Sequence, residues 1–266
     1  MSLVSCIIPY YNGGDTIARA IDSVIDSAHC LELVVVTDAS PQPLEPHLTT
    51  RQLEQMSAGR LRVVKLATNH GQACARNIGA SVSLGAYLSF LDQDDMYLPG
   101  FYENLLPYLE TNPNLAAVEV GAEYCQDGRI VLDEPDPRYA AAIASVPWNV
   151  LVRRNIFWAC GAFPVGGEFR TQLAGEDYAF KTALRRWFPV WIAQNKFVRH
   201  HIREGSATDR YLKRTEVVGN EFVFKTTYAN EIDGSIAQAI DAHMQRAWKA
   251  LQAERAVPVN EIGLGK

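Results

Sequence analysis

Long apolar runs are missing from this chain of 266 residues, and no stretch reads as a bilayer span. A basic excess is missing too. Lys and Arg number 25 against 30 Asp and Glu, a net charge of −5. Nucleic-acid binding therefore loses its main electrostatic support, and no nucleic-acid partner is expected. Cysteine is sparse: Cys6, Cys30, Cys74, Cys125 and Cys160 are scattered, odd in number and form no Cys-x-x-Cys pair. They read as small core residues of a reducing compartment, not as a disulfide framework or a zinc site. No basic n-region or signal-peptide core precedes the first apolar run. Repeats and low-complexity segments are absent as well. These absences predict a soluble, cytoplasmic protein. They leave open a peripheral contact with the inner face of a membrane, and they leave the oligomeric state unread.

What is present is enough apolar residue, 48% against 21% charged, for a full core. Val4–Ile8, Leu31–Val36, Leu61–Leu66 and 86–91 read as strands. Between them lie helical patterns, one through Ile17, Ile21, Val24 and Ile25 with Asp15 as its expected N-cap, another over Gly71–Val82. Strands alternating with helices predict an α/β fold with a mixed, mostly parallel central sheet flanked by helices. The second half is less regular. It predicts a helix from Pro99 to about Glu110 and a hairpin of 115–124 with 129–132. A loop over 133–139, a strand at 149–152 and a short helix at 155–160 follow. A helix from Glu176 to Trp187 and a strand over 190–197 come next. From Ser206 onward the pattern reads as helical, with a frayed end after Ala256.

Ligands of parallel sheets sit beyond the carboxyl ends of the strands. Polar clusters fall at three such ends: Pro9–Asn12, Asp38–Ser40 and Asp92–Asp95. Phe90-Leu-Asp-Gln-Asp-Asp95 closes an apolar strand, and three carboxylates there are costly to bury without a partner charge. A hard dication, Mg²⁺ or Mn²⁺, neutralised in turn by phosphate oxygens, is an economical partner. Asp94 and Asp92 are the candidate ligands, while Asp95 reads equally as an acidic turn at the next helix. Asp38 suits a ribose or base edge, or an Asx-turn. Glu176 and Asp177 open a helix, where a carboxylate is either a cap or a general base. His200 and His201 offer an imidazole at a strand end, or a solvated surface. Arg203 can meet phosphate charge or lie exposed, and Trp148, Trp158, Trp187 and Trp191 are core residues or sugar platforms.

Together these segments resemble the family 2 glycosyltransferases with the GT-A nucleotide-diphospho-sugar transferase fold. Val4-Ser-Cys-Ile-Ile-Pro-Tyr-Tyr-Asn12 is similar to their opening strand. Leu33-Val-Val-Val-Thr-Asp38-Ala-Ser40 resembles the second, which usually ends Asp-Asp-Gly-Ser. Asn69–Gly79, the Asp92-Gln-Asp94-Asp95 strand, Gly175-Glu-Asp-Tyr178 and Arg199-His-His201 follow in the family's order. The resemblance implies that Pro9, Tyr11, Asp38, Arg76, Asp92 and Gln93 serve the nucleotide sugar. Asp94, Asp92 and His201 would serve a metal, and Asp177 the catalysis, with Glu176 supporting it or replacing it as base. It implies an inverting single displacement from a nucleotide diphosphate sugar, a UDP-sugar first, to a hydroxyl acceptor: a glycan, a glycolipid or another alcohol. Thr37 and Ala39 depart from the usual Asp and Gly. Arg185-Arg186-Trp187 lacks the Gln-x-x-Arg-Trp pattern of processive polymerases, so one sugar per event is expected. The expected layout is a transferase domain over 1–208, with a nucleotide half (1–98) and an acceptor half (99–208), then a helical extension over 209–266. A non-catalytic nucleotide-sugar-binding module is the competing reading.

Overall fold

The computed structural model describes residues 4–170, 175–225 and 234–255. In chain order the first half runs β1 (Val4–Tyr10), α1 (Gly14–Ile25), β2 (Cys30–Asp38), α2 (Thr50–Ser57), β3 (Leu61–Leu66), α3 (Gln72–Val82), β4 (Tyr87–Phe90), β5 (Met96–Tyr97) and α4 (Phe101–Thr111). The second half runs β6 (Ala117–Gln126), β7 (Arg129–Leu132), α5 (Arg138–Ala144), β8 (Val150–Arg153), α6 (Arg154–Ala159), α7 (Glu176–Trp187) and β9 (Val190–His201). It closes with α8 (Ala207–Arg214), β10 (Thr215–Val218), β11 (Glu221–Phe224) and α9 (Gly234–Arg255).

Among the described residues the main sheet has the order β3-β2-β1-β4-β8-β6-β9-β5, with β7 paired to β6. The β1, β2, β3 and β4 pairings are parallel. Beyond β4 the sheet is mixed: β8 runs antiparallel to β4 and β6, whereas β9 runs parallel to β6. Helices cover both faces, which is why β1 and β2 read as unbroken apolar runs. Alternation within those runs still sorts the side chains. Cys6, Ile8, Leu33 and Val35 join the core under α1 and α4, while Ile7, Val34 and Val36 join the core under α3, α6 and α7. The approach of α3 depends on Gly79, where an added Cβ would lie 2.4 Å from Ile7 Cγ2.

Several expectations need correction. Gly13, not Asp15, is the N-cap of α1, and Asp15 sits in the first turn, where its charge favours the helix dipole. The helix expected from Pro99 starts at Phe101, after Gly100 at φ 91°. The loop expected over 133–139 ends in α5. The tail is not helical throughout: Thr215–Val218 and Glu221–Phe224 pair as an antiparallel hairpin across Gly219-Asn220. That is a β-branched and aromatic pattern around a two-residue turn, a hairpin signal that outweighs the helical propensity of its flanks. The frayed end expected after Ala256 lies outside the described residues, as do residues 171–174. Among the described residues no helix is long and apolar enough to cross a membrane.

Candidate functional site

The carboxyl ends of β1, β2 and β4 open into a cleft of about 780 Å³. Its lining includes Pro9, Tyr10, Tyr11, Asp38, Gly71, Gln72, Asp92, Gln93, Asp94 and Asp177. Residues of the 142–148 segment, His200, Arg203 and the tail, including Tyr211, Phe224, Ile236 and Ile240, line it as well. The tail therefore walls the cleft rather than trailing from it.

Beneath the cleft lies Arg76, wholly buried on α3. Its guanidinium reaches Asp92 at 2.6 Å, Asp177 at 2.9 Å and Glu176 at 3.7 Å. Three carboxylates converge there because one planar cation offers donors in a fixed fork. Gln72 Nε2 donates to Glu176 Oε1 at 2.5 Å. Glu176 is 1% exposed and does not line the cleft; Asp177 does. Burial pushes the Asp177 carboxyl well above its ordinary range, against the pull of Arg76 and with the push of Glu176 and Asp92. A carboxylate so poised holds a proton more tightly and is a stronger base.

At the turn after β4, Arg203 Nη2 meets Asp94 Oδ2 at 2.5 Å, and Arg19 Nη2 donates to the Asp94 carbonyl at 2.7 Å. Burial raises the Asp94 carboxyl, as does Asp92, while Arg203 opposes them. Asp95 does not line the cleft. It is fully buried and accepts from the His201 N–H at 2.9 Å and pairs with His200 Nδ1 at 2.8 Å. Its expected role as a helix cap gives way to this clamp on β9. Burial pushes Asp95 up to about 6, against the pull of His200. His200 Nε2 lies 3.0 Å from Thr208 Oγ1, and its ring stacks on Trp148. His201, the expected ligand, does not line the cleft. Its Nδ1 is buried without a hydrogen-bond partner among the described residues, and burial with Arg19, Arg199 and His200 lowers its pKa to about 4.

Asp38 is buried at the end of β2, its two oxygens accepting from His70 N and Gly71 N, each at 2.7 Å. Gln93 pairs with the Tyr11 backbone in both directions at 2.9 Å. Of the residues expected to serve the nucleotide, Pro9, Tyr11, Asp38, Asp92 and Gln93 line the cleft, and Arg76 is buried beneath it. Sequence reasoning missed Gln72, Arg19 and the tail residues. Gln72 stood in a quoted segment, but nothing local linked it to Glu176, 104 positions away.

Among the described residues no group of three His, Cys, Asp or Glu side chains is arranged to hold a metal ion. Two hard carboxylates at the cleft, Asp92 and Asp94, nonetheless match a dication bound through one or two carboxylates and substrate phosphates.

The glycosyl transferase family 2 model matches residues 5–161, so the chain belongs to that family. The succinoglycan biosynthesis protein ExoU of Rhizobium meliloti is 31% identical over 150 residues, covering 55% of this chain and 43% of that protein. The uncharacterized glycosyltransferase YibD of Escherichia coli is 30% identical over 223 residues, covering 80% and 62%. The chain thus spans less than two thirds of either relative. The crystal structure of S. aureus TarS 1-349 in complex with UDP-GlcNAc matches with a TM-score of 0.59 at 18% identity, covering 78% of this chain and 60% of that one. The expected GT-A fold is the one the chain adopts.

Proposed function

We propose that this protein transfers one sugar, with inversion, from a nucleoside diphosphate sugar to a hydroxyl acceptor. Asp177 is the base in this reading. The observation that carries it is the contrast between neighbours: Asp177 lines the cleft with a raised pKa, while Glu176 is buried beneath it. Pro9, Tyr11, Asp38 and Gln93 receive the nucleoside, and a UDP-sugar is the first donor to try, because the similar TarS structure is a complex with UDP-GlcNAc. A hexosyl or N-acetylhexosaminyl group is the sugar class proposed.

Asp94 and Asp92 would hold Mn²⁺ or Mg²⁺; His201, the third expected ligand, stands outside the cleft lining. When bound, the dication supplies charge neutralisation to the departing diphosphate. Asp177 takes the proton of the acceptor hydroxyl. The hydroxyl oxygen then bonds to the anomeric carbon as the bond from that carbon to the diphosphate oxygen breaks, and the electron pair leaves with the nucleoside diphosphate. Arg76 holds Asp92 and Asp177 in place from below. The proposed layout keeps a donor half over 1–98 and an acceptor half over 99–208, with the tail lending acceptor-side wall. Cell-surface polysaccharide or glycolipid assembly near the inner face of a membrane is the proposed setting, in line with the succinoglycan role in ExoU's name.

The test is thermal shift with UDP and UDP-GlcNAc, with and without Mn²⁺, followed by nucleotide release across an acceptor panel. A rise in melting temperature that needs Mn²⁺, with release stimulated by an acceptor, supports the reading. Binding without turnover points instead to a nucleotide-sugar-binding module.

A further inference from the structure

One helical turn past Asp177, on the same side of α7, stands Lys181. It is 1% exposed, and burying an ammonium is costly unless every donor finds an acceptor. Lys181 meets that condition in full. Its Nζ has three N–H donors and three acceptors: the Ile143 carbonyl at 2.7 Å, Asn149 Oδ1 at 2.8 Å and Glu119 Oε2 at 2.8 Å. Arg185, one turn further on, holds Glu119 with two bonds at 2.7 and 2.6 Å. Asn149 passes the link on, its Nδ2 donating to the Val120 carbonyl at 2.9 Å.

Merely attaching α7 to the sheet does not require this charge. An apolar side chain of similar volume in place of a buried ion pair is often neutral or stabilising. What an apolar side chain cannot do is grip a carbonyl and an amide. Those two grips fall on either side of residues 144–148, and Ser145, Val146, Pro147 and Trp148 line the cleft.

We propose that Lys181 is a positioning residue: from one turn below Asp177 it holds both ends of the 144–148 segment and so fixes the acceptor wall relative to the base. The inference rests on the reading of Asp177 as that base. Donor binding does not depend on this link. Placement of the attacking hydroxyl does, and small misplacements of a reacting group cost rate steeply.

The experiment compares wild type, Lys181→Met and the double variant Lys181→Met/Glu119→Leu. The double variant removes both buried charges, so it folds even where the single variant does not. Arg185, half-exposed, is then free to reach water. Hydrogen exchange followed by mass spectrometry reads residues 142–149 against strands β1 to β4. UDP with Mn²⁺ serves as the nucleotide probe. UDP-GlcNAc with methyl and octyl glycosides of glucose, galactose and N-acetylglucosamine serves as the transfer probe, set against UDP-GlcNAc hydrolysis by water. The expected result for the double variant is exchange over 142–149 at least about tenfold faster, β1 to β4 unchanged and UDP affinity within about twofold. Transfer should fall about tenfold more than hydrolysis, with the loss mainly in kcat for transfer rather than in acceptor KM. Unchanged exchange over 142–149, or transfer and hydrolysis falling together, overturns the proposal. A wild type that neither binds UDP nor releases nucleotide instead overturns the proposed function, and the exchange comparison still reads the Lys181 link.

Discussion

Removing the cation beneath the cleft is the perturbation whose size follows most directly from the structure. In Arg76→Met the stem volume stays and the guanidinium goes, leaving Asp92, Glu176 and Asp177 with no shared counter-charge. Breaking a buried ion pair from one side costs about 3–5 kcal/mol. For a chain of this size each kcal/mol lowers Tm by about 2–4 °C, so a fall of about 6–20 °C is expected. The pH dependence has a definite sign. The Asp177 carboxyl already sits above its ordinary range, and losing Arg76 moves it higher. Its folded pKa exceeds its unfolded one, so between the two the folded state binds the extra proton and stability falls as pH rises. The deficit of Arg76→Met should therefore grow as pH rises above the ordinary carboxylate range and shrink as pH falls back into it. Thermal unfolding by circular dichroism across that range is the assay. A variant melting within about 3 °C of wild type, or with the same deficit at both ends, refutes the assignment of Arg76 as the common partner of the three carboxyl groups.

Asp94→Ala should abolish Mn²⁺-dependent nucleotide binding in calorimetry; undiminished affinity removes it as a ligand. Asp177→Asn should keep UDP affinity and lower turnover by about 10²–10⁴-fold, the usual worth of a general base, and unchanged turnover removes it from that role. Ala39 stands at φ 51°, where a Cβ is strained, so Ala39→Gly should leave Tm unchanged or raise it by about 1–4 °C; a clear loss contradicts the strain argument. Gly79→Ala presses a methyl onto Ile7 and Val36, costing about 1–3 kcal/mol in chemical denaturation, and a neutral result means α3 yields more easily than its packing suggests.

The parts of the fold written in short-range pattern were legible. β1, β2 and β4 announced themselves as apolar runs because both their faces are covered, and the polar residues after them had to fall at one edge of a parallel sheet. Ala39 stands where the family usually has glycine, and the structure places a left-handed residue there. The capping box of Thr49 and Gln52 and the Gly219-Asn220 turn were also in the sequence. They carried α2 and the tail hairpin, elements that the coarse helical reading passed over.

By itself the sequence determined the strand–helix alternation, the edge at which the carboxylates gather and the kinship with a transferase family, since these rest on residues within about ten positions of one another. Only the tertiary structure decided which carboxylate faces the cleft, that Arg76 joins Asp92, 16 positions away, to Asp177, 101 positions away, that Asp95 serves β9 rather than the next helix, and that the tail lines the cleft. Spacing along the chain fixes local geometry, but partners for buried charges are chosen where distant elements pack. There the cost of leaving a charge unpaired selects the arrangement.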